Sequence, residues 1–419
     1  MKARTRTRSS QRSSLNIAAS EVASVDIVRN ELASPRGPYE FHRLLSRSDA
    51  HLARREVGAW PAFAPTPLYE FPLLAGRIEA SRIYYKDEAN RLGLGSFKAL
   101  GGAYAVARLM QRFVARETGE MVELRDLMAG KYRALTEGLT VVTATDGNHG
   151  RSVAWGAREF GCRCCIVLHA GVSAGREAAI AAYGAQIARI EGNFEDSVRH
   201  ALRLSNRSGW HLVADTSSAG QGHEQTCLDV MRGYTVMVAE ALDQIMAAGR
   251  PLPTHVFIQG GVGGLAAAVC AHFWEVLEEH APIFVIVEPE RADCLRQSAR
   301  LGRPAKASSD LNTVMAGLAC GEVSPVAWQI LRKVAEFFMT INDAEAISIM
   351  RTLADPKQVG RHIVAGESGG VGLGGLLKVA ANAAARELVR LNRTSRILTF
   401  GTEGATDPAI YASCITSGW

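Results

Sequence analysis

Lys98 stands in the stretch Gly93-Leu94-Gly95-Ser96-Phe97-Lys98-Ala99-Leu100-Gly101-Gly102, in which small residues surround a single lysine. The stretch predicts a tight turn that opens a helix, and a lysine at such a turn can form a Schiff base with a carbonyl cofactor. Small neighbours would let a flat ligand approach the backbone closely. A lysine near a helix start is most often simply solvated, so this assignment depends on other parts of the chain.

Two glycine-rich segments support it, namely Thr145-Asp146-Gly147-Asn148-His149-Gly150 and Gly260-Gly261-Val262-Gly263-Gly264. Each segment lies between a predicted strand and a predicted helix, which is the usual ligand-binding edge of an open α/β sheet. Backbone N–H groups at such helix N-termini bind phosphate. A reactive lysine combined with a phosphate-binding loop predicts an enzyme that uses pyridoxal 5'-phosphate (PLP).

The candidate cofactor-binding residues follow from these segments. Lys98 is expected to hold the cofactor, with Phe97 beside it, and Asn148 is expected to hydrogen-bond its ring oxygen. Thr402, after the last predicted strand, is the nearby hydroxyl best suited to meet the pyridine nitrogen. The phosphate is assigned to the loop formed by Gly260, Gly261, Val262, Gly263 and Gly264.

The same loop also fits a dinucleotide-binding fingerprint, because it reads Gly261-x-Gly263-x-x-Ala266 and Glu288 ends the next predicted strand. An NAD(P)-dependent oxidoreductase is therefore an alternative from another reaction class. Glu288 lies 27 residues after Gly261, whereas about 20 is usual. The alternative also leaves the Lys98 and Asp146 segments unexplained, so the phosphate loop is the favoured interpretation.

Composition limits the possible partners. The chain has 419 residues and a net charge of +5, but basic residues that include Lys2, Arg4, Arg6 and Arg12 all precede the first acidic residue, Glu21. The remainder is nearly neutral, which argues against binding of nucleic acid. Residues 1–20 are expected to be a basic, disordered tail, with a transit peptide as the alternative. No apolar stretch is long enough to span a bilayer.

The cysteines predict neither a metal site nor a disulfide framework. Cys162, Cys164 and Cys165 could hold a metal, but a C-x-C-C run that enters a β-branched strand is more typical of buried thiols. Cys294 and Cys320 could pair, although reduced thiols are expected in a cytoplasmic protein.

From residue 139 onward, β-rich runs alternate with amphipathic helical runs, as in a mostly parallel α/β sheet. Strands are predicted at residues 82–86, 139–145, 164–169, 186–190, 210–214, 255–259, 283–288 and 396–400. Helices are predicted at residues 149–160, 175–183, 194–205, 226–248, 264–280, 325–334, 344–353 and 372–391. Only helix or coil is expected in the first 60 or so residues.

Taken together, the chain resembles fold-type II PLP enzymes and, within them, the diaminopropionate ammonia-lyase family, from about Pro65 to Pro408. The resemblance rests on the Lys98 and Asn148 segments and on Val287-Glu288-Pro289, Ala292-Asp293-Cys294-Leu295, Met315-Ala316-Gly317-Leu318-Ala319-Cys320-Gly321-Glu322, Gly366-Glu367-Ser368-Gly369 and Thr402-Glu403-Gly404. Serine and threonine dehydratases carry a serine where this chain has Asp146, which separates the two groups.

The resemblance implies a tryptophan synthase β-like fold, in which two open α/β domains hold the cofactor in the cleft between them. The large domain would comprise residues 21–105 and 221–419, and the small domain residues 106–220. The resemblance also implies a cytoplasmic homodimer that acts in amino-acid catabolism on a small amino-acid substrate.

The implied reaction is the α,β-elimination of 2,3-diaminopropionate to pyruvate and two ammonia, with Lys98, Asp146 and Asp215 as catalytic residues. Lys98 would serve one face of the substrate's Cα and Asp146 the other. Asp146 or Asp215 would bind the β-ammonium, although Asp146 could instead cap a helix. The alternatives are a serine/threonine-type dehydratase, a β-replacement enzyme on the same fold, and a catalytically silent binding protein.

Three departures from the family pattern leave the substrate open. The family carries a tryptophan and a tyrosine within the stretch that here runs from Ser217 to His223, and an aspartate where this chain has Ala405. The C-terminal residues from Ser413 to Trp419 also differ. None of these positions belongs to the segments that predict use of PLP.

Overall fold

A computed structural model describes residues 25–34, 37–145, 147–216 and 224–416. The predicted N-terminal tail, Asp146 and the departure at 217–223 lie outside the described residues. Within them, the chain folds into two sheets that are covered by helices.

The strands, in chain order, are β1 (Ile27–Arg29), β2 (Leu68–Glu70), β3 (Arg82–Asp87), β4 (Thr140–Ala144), β5 (Arg163–His169), β6 (Gln186–Ile190), β7 (His211–Leu212), β8 (His255–Gln259), β9 (Ile283–Pro289), β10 (Phe337–Ile341) and β11 (Arg396–Gly401). Over the described ranges, the larger sheet has seven strands in the order β1-β10-β9-β8-β11-β3-β2, and the smaller has four in the order β6-β5-β4-β7. All four strands of the smaller sheet lie within the proposed small domain.

The helices, in chain order, are α1 (Arg47–Gly58), α2 (Pro72–Arg77), α3 (Lys98–Thr118), α4 (Leu124–Met128), α5 (Arg133–Thr136), α6 (Asn148–Phe160), α7 (Ala174–Ala181), α8 (Phe194–Ser208), α9 (Glu224–Ala247), α10 (Gly264–Leu277), α11 (Cys294–Leu301), α12 (Pro325–Val334), α13 (Asp343–Ala354), α14 (Pro356–Val359), α15 (Val371–Ala380), α16 (Ala383–Leu388) and α17 (Pro408–Thr416). No helix in the described ranges has the length and apolarity needed to cross a membrane.

The centre of the larger sheet is parallel and buried on both faces. Every residue of β8, β9 and β10 is buried, as expected for strands that helices cover on both sides. The edge strands β1 and β2 are short, partly exposed and antiparallel to their neighbours, and short edge strands of this kind limit further pairing. The carboxyl ends of the parallel strands therefore form one rigid edge on which a site can be built.

Helix α3 joins the two sheets because small residues let its neighbours approach closely. A Cβ atom at Gly101 would lie 2.4 Å from Cε1 of Tyr234 on α9. The hydroxyl of Ser152, on α6, accepts the backbone N–H of Ala103 at 2.9 Å. Lys98, the first residue of α3, is therefore fixed between elements of both sheets.

A buried network of charges fixes the loop that leads from β3 to α3. Arg91 donates to the carboxylates of Glu88 and Glu240 at 2.6–2.8 Å, and Lys86 donates to Glu240 at 2.9 Å. Burial acts to raise the pKa of Glu88, but the adjacent Arg91 outweighs it and the pKa is lowered. Two cations and two carboxylates balance, so the charges are paired without contact with bulk water.

Four sequence predictions about elements need correction. The predicted helix 372–391 is two helices, α15 and α16, because the Asn382 side chain accepts the backbone N–H of Ala385 at 2.9 Å and starts a new helix. The predicted strand 210–214 is reduced to the two residues of β7. Strand β10 was not predicted, and β1 lies in a segment where only helix or coil was expected.

Candidate active site

Lys98 lies at the carboxyl edge of the larger sheet because its flanking turn pairs with the segment that follows β11. The backbone N–H of Phe97 donates to Thr402 O at 2.9 Å, and Ser96 forms an antiparallel bridge with Glu403. The chain then turns into α3 at Lys98. The turn predicted from the sequence is therefore held by residues more than 300 positions away.

The Lys98 ammonium donates to Asp215, with Nζ and Oδ2 2.5 Å apart. Burial acts to lower the pKa of Lys98, but the Asp215 carboxylate outweighs it and the pKa is raised. Burial acts to raise the pKa of Asp215, but Lys98 and then His149 bring it down to about 2. At neutral pH the two side chains form an ion pair, with the proton on Lys98.

His149 supports this pair from the start of α6. Its ring is buried and Nε2 donates to Val213 O at 2.9 Å. Burial lowers the pKa of His149, so the ring is neutral at neutral pH.

The glycine loop joins β8 to the N-terminus of α10, as predicted. Gly263 is the N-cap of this 14-residue helix and adopts a φ of +99°, which favours glycine. A Cβ atom there would also lie 3.1 Å from side-chain atoms of Ala327 and Leu331. The first N–H groups of a helix have no intrahelical partner, so the loop presents donors suited to a phosphate.

Thr145 caps the helix that Asn148 opens. Its hydroxyl accepts the backbone N–H groups of Gly147 and Gly150, both at 3.0 Å. Thr145 therefore supplies a cap at this helix. Asp146 itself lies outside the described residues, and its catalytic assignment stays a prediction.

One cavity brings together most of the predicted site. The predicted residues that line it are Phe97, Lys98, Asn148, Asp215, Gly260, Gly261, Val262, Gly264 and Thr402. Gly263 forms the turn of the same loop. Residues from both sheets thus converge on Lys98, as a cleft between two α/β domains requires.

The cavity also contains residues that sequence reasoning missed, namely Arg176, Phe194, Tyr234 and Gln259. The Tyr234 ring packs against Phe97 with 4.8 Å between ring centroids, and burial raises the pKa of its hydroxyl, which therefore stays protonated at neutral pH. No hydrogen-bond partner for this buried hydroxyl exists among the described residues. No local pattern around these four residues marks them in the sequence.

Thr402 belongs to a polar network on the cavity wall. The Gln259 amide nitrogen donates to Thr402 Oγ1 at 3.2 Å and to Gly369 O at 2.8 Å, and Thr402 Oγ1 lies 3.3 Å from Ser368 O. The threonine hydroxyl is therefore held in place at the carboxyl end of β11, where the sequence placed a partner for the pyridine nitrogen.

Glu403 lines the same wall, and its charge acts on the neighbouring Glu367 behind it. Arg176, on α7, donates to the carboxylate of Glu367. Burial and then the charge of Glu403 raise the pKa of Glu367 to about 7, against the opposing effect of Arg176. Carboxylates from the large-sheet side therefore bond to Arg176 and Asn148 from the small-sheet side.

Glu288 does not support the dinucleotide alternative. Its carboxylate accepts the backbone N–H groups of Leu295 at 2.9 Å and Arg296 at 2.7 Å, and burial raises its pKa to about 8. It therefore caps α11 inside the protein, whereas a dinucleotide fingerprint needs a free carboxylate for a ribose hydroxyl.

The cysteines show neither a disulfide nor a metal cluster. All eight lie in the described part of the chain and are free thiols, including Cys294 and Cys320. No group of three or more His, Cys, Asp or Glu side chains in the described ranges is arranged to hold a metal ion.

The cavity fits pyridoxal phosphate on three observations. A lysine amine lies in it beside a carboxylate, a helix N-terminus with a left-handed glycine faces it, and the buried Tyr234 hydroxyl and the Gln259 amide oxygen lack partners among the described residues. These are the groups that would hold an aldehyde, a phosphate and a polar ring.

Comparisons with known proteins agree with this geometry. The sequence profile of the family described as pyridoxal-phosphate dependent enzyme matches residues 59–393. The diaminopropionate ammonia-lyase of Escherichia coli K12 is 37% identical over 384 residues, which cover 90% of this chain and 94% of that protein. The crystal structure of holo diaminopropionate ammonia lyase from Escherichia coli superposes with a TM-score of 0.85 and 34% identity over 94% of this chain and 97% of that chain. The crystal structure of the same enzyme in complex with D-serine has a TM-score of 0.85 and 35% identity over the same shares.

Proposed function

Because the chain belongs to the diaminopropionate ammonia-lyases within the family of pyridoxal-phosphate dependent enzymes, we propose that its Lys98 cavity carries out the α,β-elimination of 2,3-diaminopropionate. The products are pyruvate and two ammonia. The observation that carries the proposal is the partly buried Lys98–Asp215 pair, which faces the same cavity as the glycine loop.

Pyridoxal phosphate, when bound, supplies an electron sink that stabilises negative charge at the substrate's Cα. Lys98 is the residue that would hold it, and the loop from Gly260 to Gly264 would bind its phosphate. Phe97, Asn148 and Thr402 would contact its ring. These assignments are supported by the position of each residue on the cavity wall or its loop.

The chain's own residues must then move one proton and keep another in place. Lys98 Nζ is suited to take the α-proton from one face once its own proton has passed to a neighbour. Asp146, by the family resemblance, would serve the other face. A β-amine that keeps its proton leaves as neutral ammonia, whereas an unprotonated amine is a far poorer leaving group.

Asp215 is suited to hold that proton on the leaving group. Its pKa, lowered to about 2, keeps it negatively charged at neutral pH, and a carboxylate binds an ammonium more strongly than it binds a hydroxyl. This difference favours a β-amino substrate over serine. The released enamine then hydrolyses in water to pyruvate and the second ammonia.

A second substrate is favoured by one specific observation, because the related Escherichia coli enzyme has been crystallised with D-serine. A β-hydroxyl amino acid is therefore the next candidate for this cavity. The two candidates differ in nitrogen yield, since a β-hydroxyl amino acid gives one ammonia per pyruvate and diaminopropionate gives two.

A cytoplasmic homodimer completes the proposal. The dimer is supported by the family resemblance alone. Light scattering on the protein as it elutes from a size-exclusion column would then give a molar mass of twice the chain's 45.0 kDa. The cytoplasmic location is supported by the eight free cysteines, since disulfides are rare in reducing compartments.

The test is a turnover assay on the PLP-loaded protein with separate measurements of pyruvate and ammonia. Diaminopropionate is compared with D-serine, L-serine and L-threonine. Lys98→Ala should abolish turnover, and Lys131→Ala is the matched control because that lysine lies on the exposed surface of the small domain. Preferred turnover of a β-hydroxyl amino acid, with one ammonia per pyruvate, would reject the diaminopropionate assignment.

A further inference from the structure

Glu403 connects the two sides of the cavity through both oxygens of its carboxylate. Only 4% of the residue is exposed. Its Oε1 accepts the backbone N–H of Ser368, in the loop before α15, at 2.9 Å. Its Oε2 accepts Nδ2 of Asn148, the first residue of α6, at 2.5 Å. One carboxylate thus bonds the large-sheet wall to the helix that begins at the small-sheet wall.

This bond determines which way the Asn148 amide faces. A carboxylate can only accept hydrogen bonds, so the amide must turn its nitrogen toward Glu403, since the oxygen in that position would be repelled. The nitrogen carries two N–H groups, and Glu403 takes one of them. The other is the donor that Asn148 can offer to a ligand in the cavity.

The backbone holds Glu403 firmly enough to impose this orientation. The carbonyl oxygen of Glu403 accepts the backbone N–H of Gly366 at 3.1 Å. The residues on either side of Glu403 bond to the turn before Lys98: Thr402 O accepts Phe97 N at 2.9 Å, and Gly404 N donates to Gly95 O at 3.0 Å. Glu403 is therefore fixed by the same segment that fixes the lysine. If the Asn148 amide moved, its hydrogen bond to Glu403 would break, because the backbone of Glu403 is held in place and its carboxylate cannot move with the amide.

On the basis of the proposed function, we infer that Glu403 is a positioning residue for the cofactor. It acts through Asn148, by presenting an N–H of that amide to the ring oxygen of pyridoxal phosphate. The removal of its negative charge frees the amide to rotate and weakens cofactor binding, even though every residue assigned to the phosphate and to the covalent bond remains in place.

A second carboxylate provides a matched control. Asp407 also bonds across the cleft, because the hydroxyl of Ser173 donates to its Oδ2 at 2.7 Å. Asp407 also accepts N–H groups at the start of α17. Substitution of Asp407 shows whether the loss of any hydrogen bond across the cleft weakens cofactor binding. If only the bond between Glu403 and Asn148 matters, this substitution should have little effect.

The experiment measures the dissociation constant of PLP by titration of cofactor-free protein, followed by absorbance and tryptophan fluorescence. The variants are Glu403→Gln, Asn148→Ala, the double variant and Asp407→Asn. We expect Glu403→Gln and Asn148→Ala each to weaken binding about tenfold, as for the loss of a hydrogen bond that involves a charged group. The double variant should bind as Asn148→Ala does, and Asp407→Asn should stay within about twofold of the unaltered protein.

Three results would overturn the inference: unaltered PLP affinity in Glu403→Gln, effects of the two substitutions that multiply in the double variant, or equal weakening by Asp407→Asn. If Glu403→Gln does not fold, Glu403→Asp replaces it, because the shorter side chain keeps the charge but no longer reaches Asn148. The PLP affinity of Glu403→Asp, alone and combined with Asn148→Ala, is then compared with that of Asn148→Ala. When the unaltered protein binds PLP and turns over substrate but the coupling is absent, only this inference fails. A complete lack of PLP binding by the unaltered protein overturns the proposed function as well.

Discussion

The charges around Arg91 and the Lys98–Asp215 pair differ in how fully their hydrogen bonds are satisfied within the protein. In the network around Arg91, the guanidinium and its carboxylate partners Glu88 and Glu240 are at most 4% exposed and bond to one another. In the Lys98–Asp215 pair, the side chains are 20% and 12% exposed and open onto the cavity. The closed network stabilises the fold, whereas the open pair leaves its groups available to a substrate.

The difference appears in the partners of each cation. Arg91 donates to two glutamates, to the hydroxyl of Thr66 at 3.0 Å and to Ala64 O at 3.2 Å, so its donors are used within the protein. Among the described residues, Lys98 has one carboxylate at hydrogen-bond distance, that of Asp215, whereas an ammonium has three donors. The comparison predicts that substitutions in the first group affect folding and those in the second affect turnover.

The largest expected effect follows the removal of the lysine amine. Lys98→Ala should lower turnover by roughly 10⁴-fold, because no other lysine among the described residues lines the cavity to hold the cofactor or accept the α-proton. The free energy of unfolding should fall by less than it does when the closed network is broken, since solvent in the cavity screens the partly exposed ion pair. A turnover assay combined with urea unfolding checks both results, and strong destabilisation would show that the open pair is structural after all.

The second effect concerns the closed network. Glu240→Gln should lower the free energy of unfolding by about 3 kcal/mol, because Lys86 and Arg91 lose a shared carboxylate in a buried site. The control is Glu70→Gln, which breaks a surface pair with Arg82 at 2.6 Å and should cost less than about 1 kcal/mol. If urea unfolding shows the same loss of unfolding free energy in both variants, the buried network is no more important for stability than a surface ion pair.

Asp215→Asn should lower turnover by about 10²-fold and alter the response to acid. The folded pKa of Asp215, about 2, lies below its ordinary value of 3.8. The pair therefore contributes stability above the ordinary value and loses it as the pH falls toward 2. Between pH 5 and pH 3, the free energy of unfolding should fall less in Asp215→Asn than in the unaltered protein. If it falls equally in both proteins, the ion pair is not formed.

Asp146→Ser sharpens the assignment of substrate. If Asp146 manages the proton of the β-ammonium, the serine variant should lose at least about tenfold in kcat/KM for diaminopropionate relative to serine. The ratio of the two kcat/KM values is the measurement. Nearly intact diaminopropionate turnover would remove Asp146 from the catalytic group.

The smallest effect is expected at Tyr234. Tyr234→Phe removes a buried hydroxyl that has no partner among the described residues, so cofactor-free protein should be unchanged or more stable by up to about 1 kcal/mol. Thermal unfolding without PLP measures this. A clear loss of stability would indicate that the hydroxyl has a partner within the protein.

The part of the site that could be read from the sequence is local. Lys98 and the loop from Gly260 to Gly264 each combine strand, turn and helix signals within a few residues, and the structure places both on one cavity. The role of Glu403 could not be assigned from the sequence, because its bond to Asn148 joins positions 255 residues apart. Arg176 and Tyr234 were missed for the same reason.

The fold shows the same division. Strands β8 and β9 were predicted nearly to the residue because their apolar runs are bounded by turns and helices. Strand β10 was missed because its five residues follow α12 without a glycine or proline between them. The break between α15 and α16 depends on a side-chain cap by Asn382, a residue that is also common inside loops and helix ends.

The most direct test is the nitrogen balance of the reaction. Purified protein, loaded with PLP, is incubated with 2,3-diaminopropionate, and pyruvate and ammonia are measured in the same sample. We expect two ammonia for each pyruvate, with both products absent in Lys98→Ala. Pyruvate that forms equally well in Lys98→Ala, or a protein that binds PLP without forming either product, would contradict it.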